Sequence, residues 1–191
     1  MQEARNAQRR LAGRIGSLVA VAAAAALAAG CASPGWRGRL AAELPVLGHR
    51  NWICVVDSAY PAQTAAGIET LATGGRQVDV VKAVLGAVDE AAHVRAVVYL
   101  DAELPHVAEA DARGIGAYRK ELREALGNRL VTSLPHEKII ARLDDAAKVF
   151  RVLILKTDLT LPYTSVFINL DCAYWSGDAQ KRLLDALPKA K

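Results

Sequence analysis

Short apolar runs alternate with longer amphipathic segments along most of the chain, and this alternation limits the possible folds more than any other feature. Five runs have the length and composition of strands: residues 52–56, 94–100, 130–134, 152–155 and 166–170. Helical spacing of apolar side chains marks five segments: residues 39–47, 78–88, 109–126, 136–149 and 179–187. The segment 109–126 is the longest helical segment, and the run 166–170 is apolar enough to form a central strand. We therefore expect an α/β fold, a three-layer sandwich with a central sheet covered by helices on both faces.

The first 31 residues have the features of a secretory leader. Four arginines precede an uncharged, alanine-rich run from Ile15 to Ala29, which matches the charged and apolar regions of a signal peptide. The run ends at Gly30 and Cys31, in a segment that resembles the lipobox of bacterial lipoproteins. We predict that residues 1–30 are removed and that lipid on Cys31 anchors the protein to a membrane, on the extracytoplasmic side of the cell envelope. Residues 31–39 would then be a tether and residues 40–191 the folded domain; the alternative is that the leader is an N-terminal helix of that domain.

The positive charge of the chain is concentrated in this leader. The whole chain has a formal net charge of +4, and residues 1–30, with four arginines and one glutamate, carry +3 of it. The rest of the chain is therefore nearly neutral, which excludes nucleic acid as a partner. A hydrophobic content of 52% also excludes a disordered chain.

The two cysteines beyond the leader lie in apolar runs. Cys54 and Cys172 either pair in an oxidising compartment or remain as buried free thiols. Neither belongs to a Cys/His pattern with the spacing of metal ligands, so no metal site is expected.

Two ionisable residues flank the apolar run 52–56. His49 comes just before it and Asp57 directly after it, and an imidazole together with a carboxylate can transfer protons near neutral pH. A five-residue strand rises about 17 Å, however, so its two ends cannot meet within one chain. Cooperation between the two side chains requires a folded-back loop or a second subunit. The alternative is that Asp57 caps a turn and His49 is a surface histidine.

Two further candidates lie at the entrances of predicted elements. His136 opens a helical segment, where its side chain can point into a crevice, and Tyr163 precedes the run 166–170 and offers a ring and a hydroxyl to a ligand. The alternatives are a plain helix-entry residue and an aromatic lid on the edge of the core. The chain contains no glycine-rich phosphate loop, nucleophile elbow or zinc-protease motif.

In this order, the segments resemble the ribose pyranase and fucose mutarotase family (RbsD/FucU). The resemblance covers about residues 40–172 and rests on a series of short motifs: Gly48-His49, Cys54-Val55-Val56-Asp57, Tyr60-Pro61, residues 78–85, residues 99–103, His136-Glu137 and Tyr163-Thr164-Ser165. The family has asparagine where this chain has Ser165, and a serine hydroxyl has a shorter reach than an amide.

The resemblance implies an enzyme that interconverts the anomers or ring forms of a free monosaccharide such as ribose or fucose. By similarity, His49 is the general acid/base, and the sugar is held by Asp57, His136, Tyr163, Thr164 and Ser165. The family needs no cofactor, and its site forms between subunits of a ring-shaped homo-oligomer. Two other readings stay open: a surface-anchored sugar-binding protein without turnover, and a scaffold lipoprotein that uses only the fold.

Overall fold

A computed structural model describes residues 35–188 of the chain. The predicted leader, Cys31 and residues 32–34 of the predicted tether lie outside these residues. The strands are β1 (Trp52–Val56), β2 (Ile68–Ala72), β3 (Val94–Asp101), β4 (Val131–Leu134), β5 (Val152–Lys156) and β6 (Val166–Cys172). The helices are α1 (Trp36–Glu43), α2 (Gln77–Glu90), α3 (Ile115–Leu126), α4 (His136–Ala147) and α5 (Gly177–Ala186), and a short 3-10 helix covers Leu104–His106.

The six strands form one mixed sheet in the order β2-β5-β1-β6-β3-β4. Strand β1 is parallel to β5, β5 to β2, and β3 to β4, whereas β6 is antiparallel to both of its neighbours, β1 and β3. Five strands therefore end at the same edge of the sheet, and β6 begins at that edge. Residues that follow the five strands, or precede β6, are brought together there.

Helices cover both faces of the sheet. Successive side chains of a strand point to opposite faces, so each strand contributes to two cores. Ile53 and Val55 of β1 belong to a core that includes residues of α1, α2 and α3. Cys54 and Val56 belong to a second core on the other face, with Ile139 and other residues of α4. This arrangement confirms the predicted α/β three-layer sandwich, and β6 is one of the two middle strands, as its apolar sequence predicts.

The helix predicted for residues 109–126 begins later, at Ile115. The carboxylate of Glu109 accepts hydrogen bonds from the backbone N–H of Gly114 at 2.5 Å and of Gly116 at 2.9 Å. Gly114 has a φ of 95°, a left-handed conformation that glycine adopts readily and that precludes a continuous helix. The segment before α3 is therefore a loop that caps the helix, and these two bonds lower the pKa of Glu109. At 14 residues, α2 is longer than the 12-residue α3.

Strand β2 is the element that the sequence pattern does not predict. Its residues Ile68–Ala72 are half-buried or exposed, so they lack a continuous apolar run, and β2 lies at the edge of the sheet beside β5. Gly67, just before β2, packs so closely that a Cβ atom at this position would lie 2.7 Å from the carbonyl oxygen of Phe150. The absence of a side chain at Gly67 thus permits β2 to approach the end of α4.

The two cysteines of the described domain are free. Cys54 is buried opposite Phe167 of β6, and Cys172 lies five residues further along β6, opposite Val94. At about 3.4 Å per strand residue, this separation prevents a disulfide within the chain. Burial raises the pKa of the Cys54 thiol, which keeps it protonated and inert.

Within residues 35–188, no helix is both long and apolar enough to cross a bilayer. No group of three or more His, Cys, Asp or Glu side chains in the same residues is arranged to hold a metal ion.

Candidate functional site

Polar side chains from several segments meet at the edge of the sheet where β1, β3 and β4 end. Asp57 follows β1, Asp101 is the last residue of β3, and His136 begins α4 just after β4. Ser165 lies at the same edge because the antiparallel β6 begins there. The topology of the sheet therefore places residues that are far apart in sequence around one site.

Asp57 and Ser165 are in direct contact. The hydroxyl of Ser165 donates to Oδ2 of Asp57 at 3.3 Å, and Oδ1 of Asp57 accepts the backbone N–H of Ala59 at 2.9 Å. The second bond is the turn cap expected as the alternative role for Asp57. Both roles are compatible, since each carboxylate oxygen can accept more than one hydrogen bond.

His136 is paired with a buried carboxylate. Its Nδ1 lies 3.1 Å from Oδ1 of Asp101, whose side chain is inaccessible to solvent, whereas the His136 side chain is 31% exposed. The backbone N–H of His136 donates to both carboxylate oxygens of Glu103, each at 3.1 Å. Burial raises the pKa of Asp101, and the hydrogen bond from His136 opposes that rise. His136 is thus fixed both through its backbone and through its ring.

Tyr163 has a backbone conformation that is costly for a side-chain-bearing residue. Its φ is 55°, and such left-handed positions persist only where the surroundings enforce them, commonly at ligand sites. The ring stands edge-on to the His136 ring, with centroids 5.8 Å apart, and it is 42% exposed. This backbone conformation places a large aromatic surface against His136 and open to solvent.

Three of these residues, Asp57, His136 and Tyr163, line one open cavity of about 400 Å³. Its wall includes Asp57, His136, Glu137, Tyr163 and the buried Tyr60. The cavity combines a carboxylate, an imidazole and an aromatic face, which can accept hydrogen bonds, exchange protons and stack on a ligand. Burial raises the pKa of Tyr60, so its phenol stays neutral.

A buried hydrogen-bond network holds the loop between β5 and β6, which carries Tyr163. Gln77, at the start of α2, accepts from the hydroxyl of Thr157 at 2.8 Å and donates to the carbonyl oxygen of Thr164 and, at 3.2 Å, to the hydroxyl of Tyr118. The Tyr118 hydroxyl donates to the same Thr164 carbonyl at 2.6 Å. Both ends of the loop, residues 157 and 164, are therefore tied to the core beside Tyr163 and Ser165.

The structure brings only some of the predicted site residues to this cavity. Asp57, His136 and Tyr163 line it. Ser165 does not line it but forms a hydrogen bond with Asp57, which does. Thr164 is fully buried, and its hydroxyl donates to the carbonyl oxygen of Leu161 at 2.8 Å. Its side chain therefore supports the loop and does not line the cavity.

His49 lies at the opposite end of β1, as its position in the sequence requires. It is exposed and lines a different cavity, of about 460 Å³, together with Arg95, Asp171 and Trp175. Within one chain, His49 and Asp57 are not brought together.

Sequence reasoning missed Asp101 and Gln77 as members of the site. Asp101 stands at the end of the apolar strand β3, much as Asp57 directly follows the apolar strand β1. An aspartate at the end of an apolar run is therefore a signal that would have identified Asp101 as well as Asp57. Gln77 offered no comparable signal, because its partner Thr164 is 87 residues away.

Comparison of the sequence with protein-family models gives no match, and comparison with curated proteins gives none either. Solved structures do match. RbsD from Bacillus subtilis, solved with D-ribose, is 19% identical with a TM-score of 0.50, and the match covers 69% of this chain and 89% of RbsD. A fucose mutarotase from Streptococcus pneumoniae, solved with L-fucose, is 18% identical with a TM-score of 0.43, and the match covers 67% of this chain and 87% of the mutarotase. The similarity to RbsD agrees with the mixed six-stranded sheet and its helical layers, and this chain has an RbsD-like fold.

Proposed function

We propose that the protein binds a free monosaccharide in the cavity between Asp57, His136 and Tyr163 and interconverts its anomers or ring forms. The observation that carries the proposal is the convergence of these three side chains, from three separate segments, on one open cavity of about 400 Å³. The RbsD structure with the similar fold was solved with D-ribose, which supports an aldose as the ligand.

Each group in the cavity matches one demand of the ligand. The Asp57 carboxylate accepts hydrogen bonds from sugar hydroxyls, and the exposed Tyr163 ring provides a face for stacking on a pyranose or furanose. Ser165, in contact with Asp57, orients that carboxylate. No part of this recognition needs a cofactor.

The reaction consists of paired proton transfers. Ring opening removes the proton of the anomeric hydroxyl, breaks the bond between the anomeric carbon and the ring oxygen, and adds a proton to that oxygen. After rotation of the open-chain aldehyde, the same steps in reverse close the ring on the other face. Two proton-transferring groups are therefore needed, one at each oxygen.

We propose that His49 of a second copy of the chain is one of these groups. Its location at the far end of β1 prevents it from acting on the cavity of its own chain. The family resemblance implies a site completed between subunits, and this assembly would carry His49 to the cavity of a neighbouring copy.

We further propose that the protein is held at a membrane by lipid on Cys31. The support is the arginine cluster, the apolar run and the small residues before this cysteine. Mass spectrometry of the protein from its native host should show an acylated Cys31 at the N-terminus, and an intact Met1 would contradict the proposal.

Exchange NMR tests the proposed function. D-Ribose, L-fucose and related free sugars are mixed with the full chain purified in detergent, and the rates of anomer and ring-form exchange are compared with those in the same buffer. We expect exchange above the buffer rate and saturable binding of at least one sugar. Binding without exchange would instead identify a sugar-binding protein, and the absence of both would leave a scaffold role for the fold.

The variant Asp57→Asn tests the role of the carboxylate in the site. It keeps the size of the side chain but removes the charge that accepts hydrogen bonds from the sugar, so binding and exchange should both weaken. Ser165→Asn restores the residue that the family carries. We expect it to alter the preference among sugars, and an unchanged preference would mean that position 165 does not select the substrate.

A further inference from the structure

The imidazole of His136 lies between a buried carboxylate and the open cavity. Its Nδ1 is 3.1 Å from Oδ1 of Asp101, and the Asp101 side chain has no accessible surface. His136 itself is partly exposed and lines the cavity. One side of the ring therefore faces the protein interior and the other side is open to a ligand.

This pairing determines which ring nitrogen carries the proton. When Asp101 is ionised, its carboxylate only accepts hydrogen bonds, and Nδ1 of His136 is then the donor. In the neutral imidazole, Nε2 then keeps its lone pair and can accept a proton. Because the two nitrogens lie on opposite sides of the ring, Nε2 is on the side away from the buried Asp101.

Two neighbours keep the ring in this orientation. The backbone N–H of His136 is held by the Glu103 carboxylate at 3.1 Å, and the Tyr163 ring packs edge-on with its centroid 5.8 Å away. A base whose tautomer and direction are fixed by a carboxylate behind it is the arrangement that makes histidine an effective proton-transfer group.

One carboxylate oxygen of the buried Asp101 has no hydrogen-bond partner among residues 35–188, which is unusual for a residue with only a structural role. This oxygen is Oδ2, and an unsatisfied buried carboxylate oxygen costs stability. Glu103 and Asp57 add two further carboxylates to the same region.

We propose that His136 is a proton-transfer group of the sugar-isomerising reaction and that Asp101 is the residue that positions it. In ring opening, Nε2 takes the proton of the anomeric hydroxyl, the electrons of that O–H bond form the carbonyl, and the ring oxygen leaves and is protonated by the second acid. In ring closure, Nε2 returns the proton to the new anomeric hydroxyl. The inference rests on the proposed function and gives His136 a catalytic role in addition to sugar binding.

The test compares His136→Gln with the wild type, using the full chain and the sugar that gives the fastest exchange. Glutamine still forms hydrogen bonds but cannot take a proton, so the exchange rate at saturating sugar should fall by about 100-fold or more. The dissociation constant of the sugar should rise by a much smaller factor than the rate falls, because glutamine keeps a hydrogen bond to the sugar. His106→Gln, which alters an exposed histidine outside the cavity, is the matched control and should leave both quantities unchanged.

A second measurement reports on Asp101 directly. In wild-type protein, ¹⁵N NMR of the His136 ring should show the proton on Nδ1. Asp101→Asn should shift the population towards the other tautomer, because an amide N–H can donate to Nδ1, and the exchange rate should fall without a matching loss of sugar binding. A shifted tautomer with an unchanged exchange rate would mean that Asp101 fixes the ring without contributing to the reaction.

The outcomes separate this inference from the function on which it rests. Wild-type exchange together with an undiminished rate in His136→Gln overturns the inference alone, and so does a wild-type His136 that is protonated on Nε2. A wild-type protein without exchange overturns the proposed function and this inference with it. The tautomer of His136 is measured in the wild-type protein. That measurement can therefore overturn the inference even if the variants fail to fold.

Discussion

Replacing Gln77 by methionine tests the buried network that holds the loop between β5 and β6. Methionine keeps the length of the side chain and removes its amide. The wild-type amide makes three hydrogen bonds, to Thr157, Tyr118 and the carbonyl oxygen of Thr164, and Gln77 is only 2% exposed. Water therefore cannot replace these bonds in the variant.

The expected loss of stability is set by what remains bonded after the substitution. Three bonds at about 0.5–1.5 kcal/mol each give about 1.5–4.5 kcal/mol. The Thr164 carbonyl keeps the Tyr118 hydroxyl at 2.6 Å, and the Thr157 hydroxyl keeps the carbonyl oxygen of Val56 at 2.9 Å. Since neither partner is left unsatisfied, we expect the middle of that range, about 2–3 kcal/mol, which corresponds to a decrease in Tm of about 4–12 °C for a domain of this size.

Thermal and denaturant unfolding, followed by circular dichroism, measure this change. Gln180→Met is the matched control, because Gln180 is exposed on α5 and surface substitutions change stability by about 0.5 kcal/mol or less. Tyr118→Phe should cost less than Gln77→Met, and the double variant should lose less than the sum of the two, because the two residues share the Thr164 carbonyl.

The same variant connects stability to function. Because the network ties down the loop that carries Tyr163 and Ser165, Gln77→Met should also weaken sugar binding at temperatures where the protein is still folded. A Tm equal to that of Gln180→Met, or strict additivity with Tyr118→Phe, would refute the network as a unit. Unchanged sugar binding would refute its role in holding the loop.

Gly67→Ala should destabilise the domain, as measured by a lower denaturant midpoint, because a Cβ atom here collides with backbone carbonyl groups. Mild reduction should leave the Tm unchanged, since Cys54 and Cys172 are free; a decrease would indicate a disulfide. Asp101→Asn should be no less stable than the wild type at neutral pH. The raised pKa of Asp101 means that its ionised form opposes folding, so the advantage of the variant should grow as the pH rises from about 4, and a constant difference across this range would contradict the linkage.

The sequence predicted the elements whose signal is local. Continuous apolar runs identified β1, β5 and β6, since a strand buried on both faces needs apolar residues at every position. The predicted helix at residues 109–126 was too long because the sequence pattern continues through a segment that Glu109 and Gly114 form into a loop. Strand β2 was missed because, at the sheet edge, it is half-exposed and carries no apolar run.

The candidate site was predictable where a residue follows a buried strand. Asp57 was found on this basis, and His136 through its place at a helix entrance. The pairing of His136 with Asp101 was not predictable, because it depends on the register of β3 beside β4, which places Asp101 opposite Leu134. A register shift of one residue would point the carboxylate to the other face of the sheet.

The antiparallel direction of β6 gives the site its asymmetry. In a wholly parallel sheet, all strands would end at the cavity edge, and the residues before each strand would lie at the far edge. Because β6 runs the other way, Tyr163 and Ser165, which come before it, lie beside Asp57 and Asp101, which come at or after strand ends. The loop entering β6 therefore adds an aromatic face to an otherwise acidic edge. That loop takes a left-handed conformation at Tyr163, and the buried network anchored by Gln77 holds the loop at residues 157 and 164, on either side of this position.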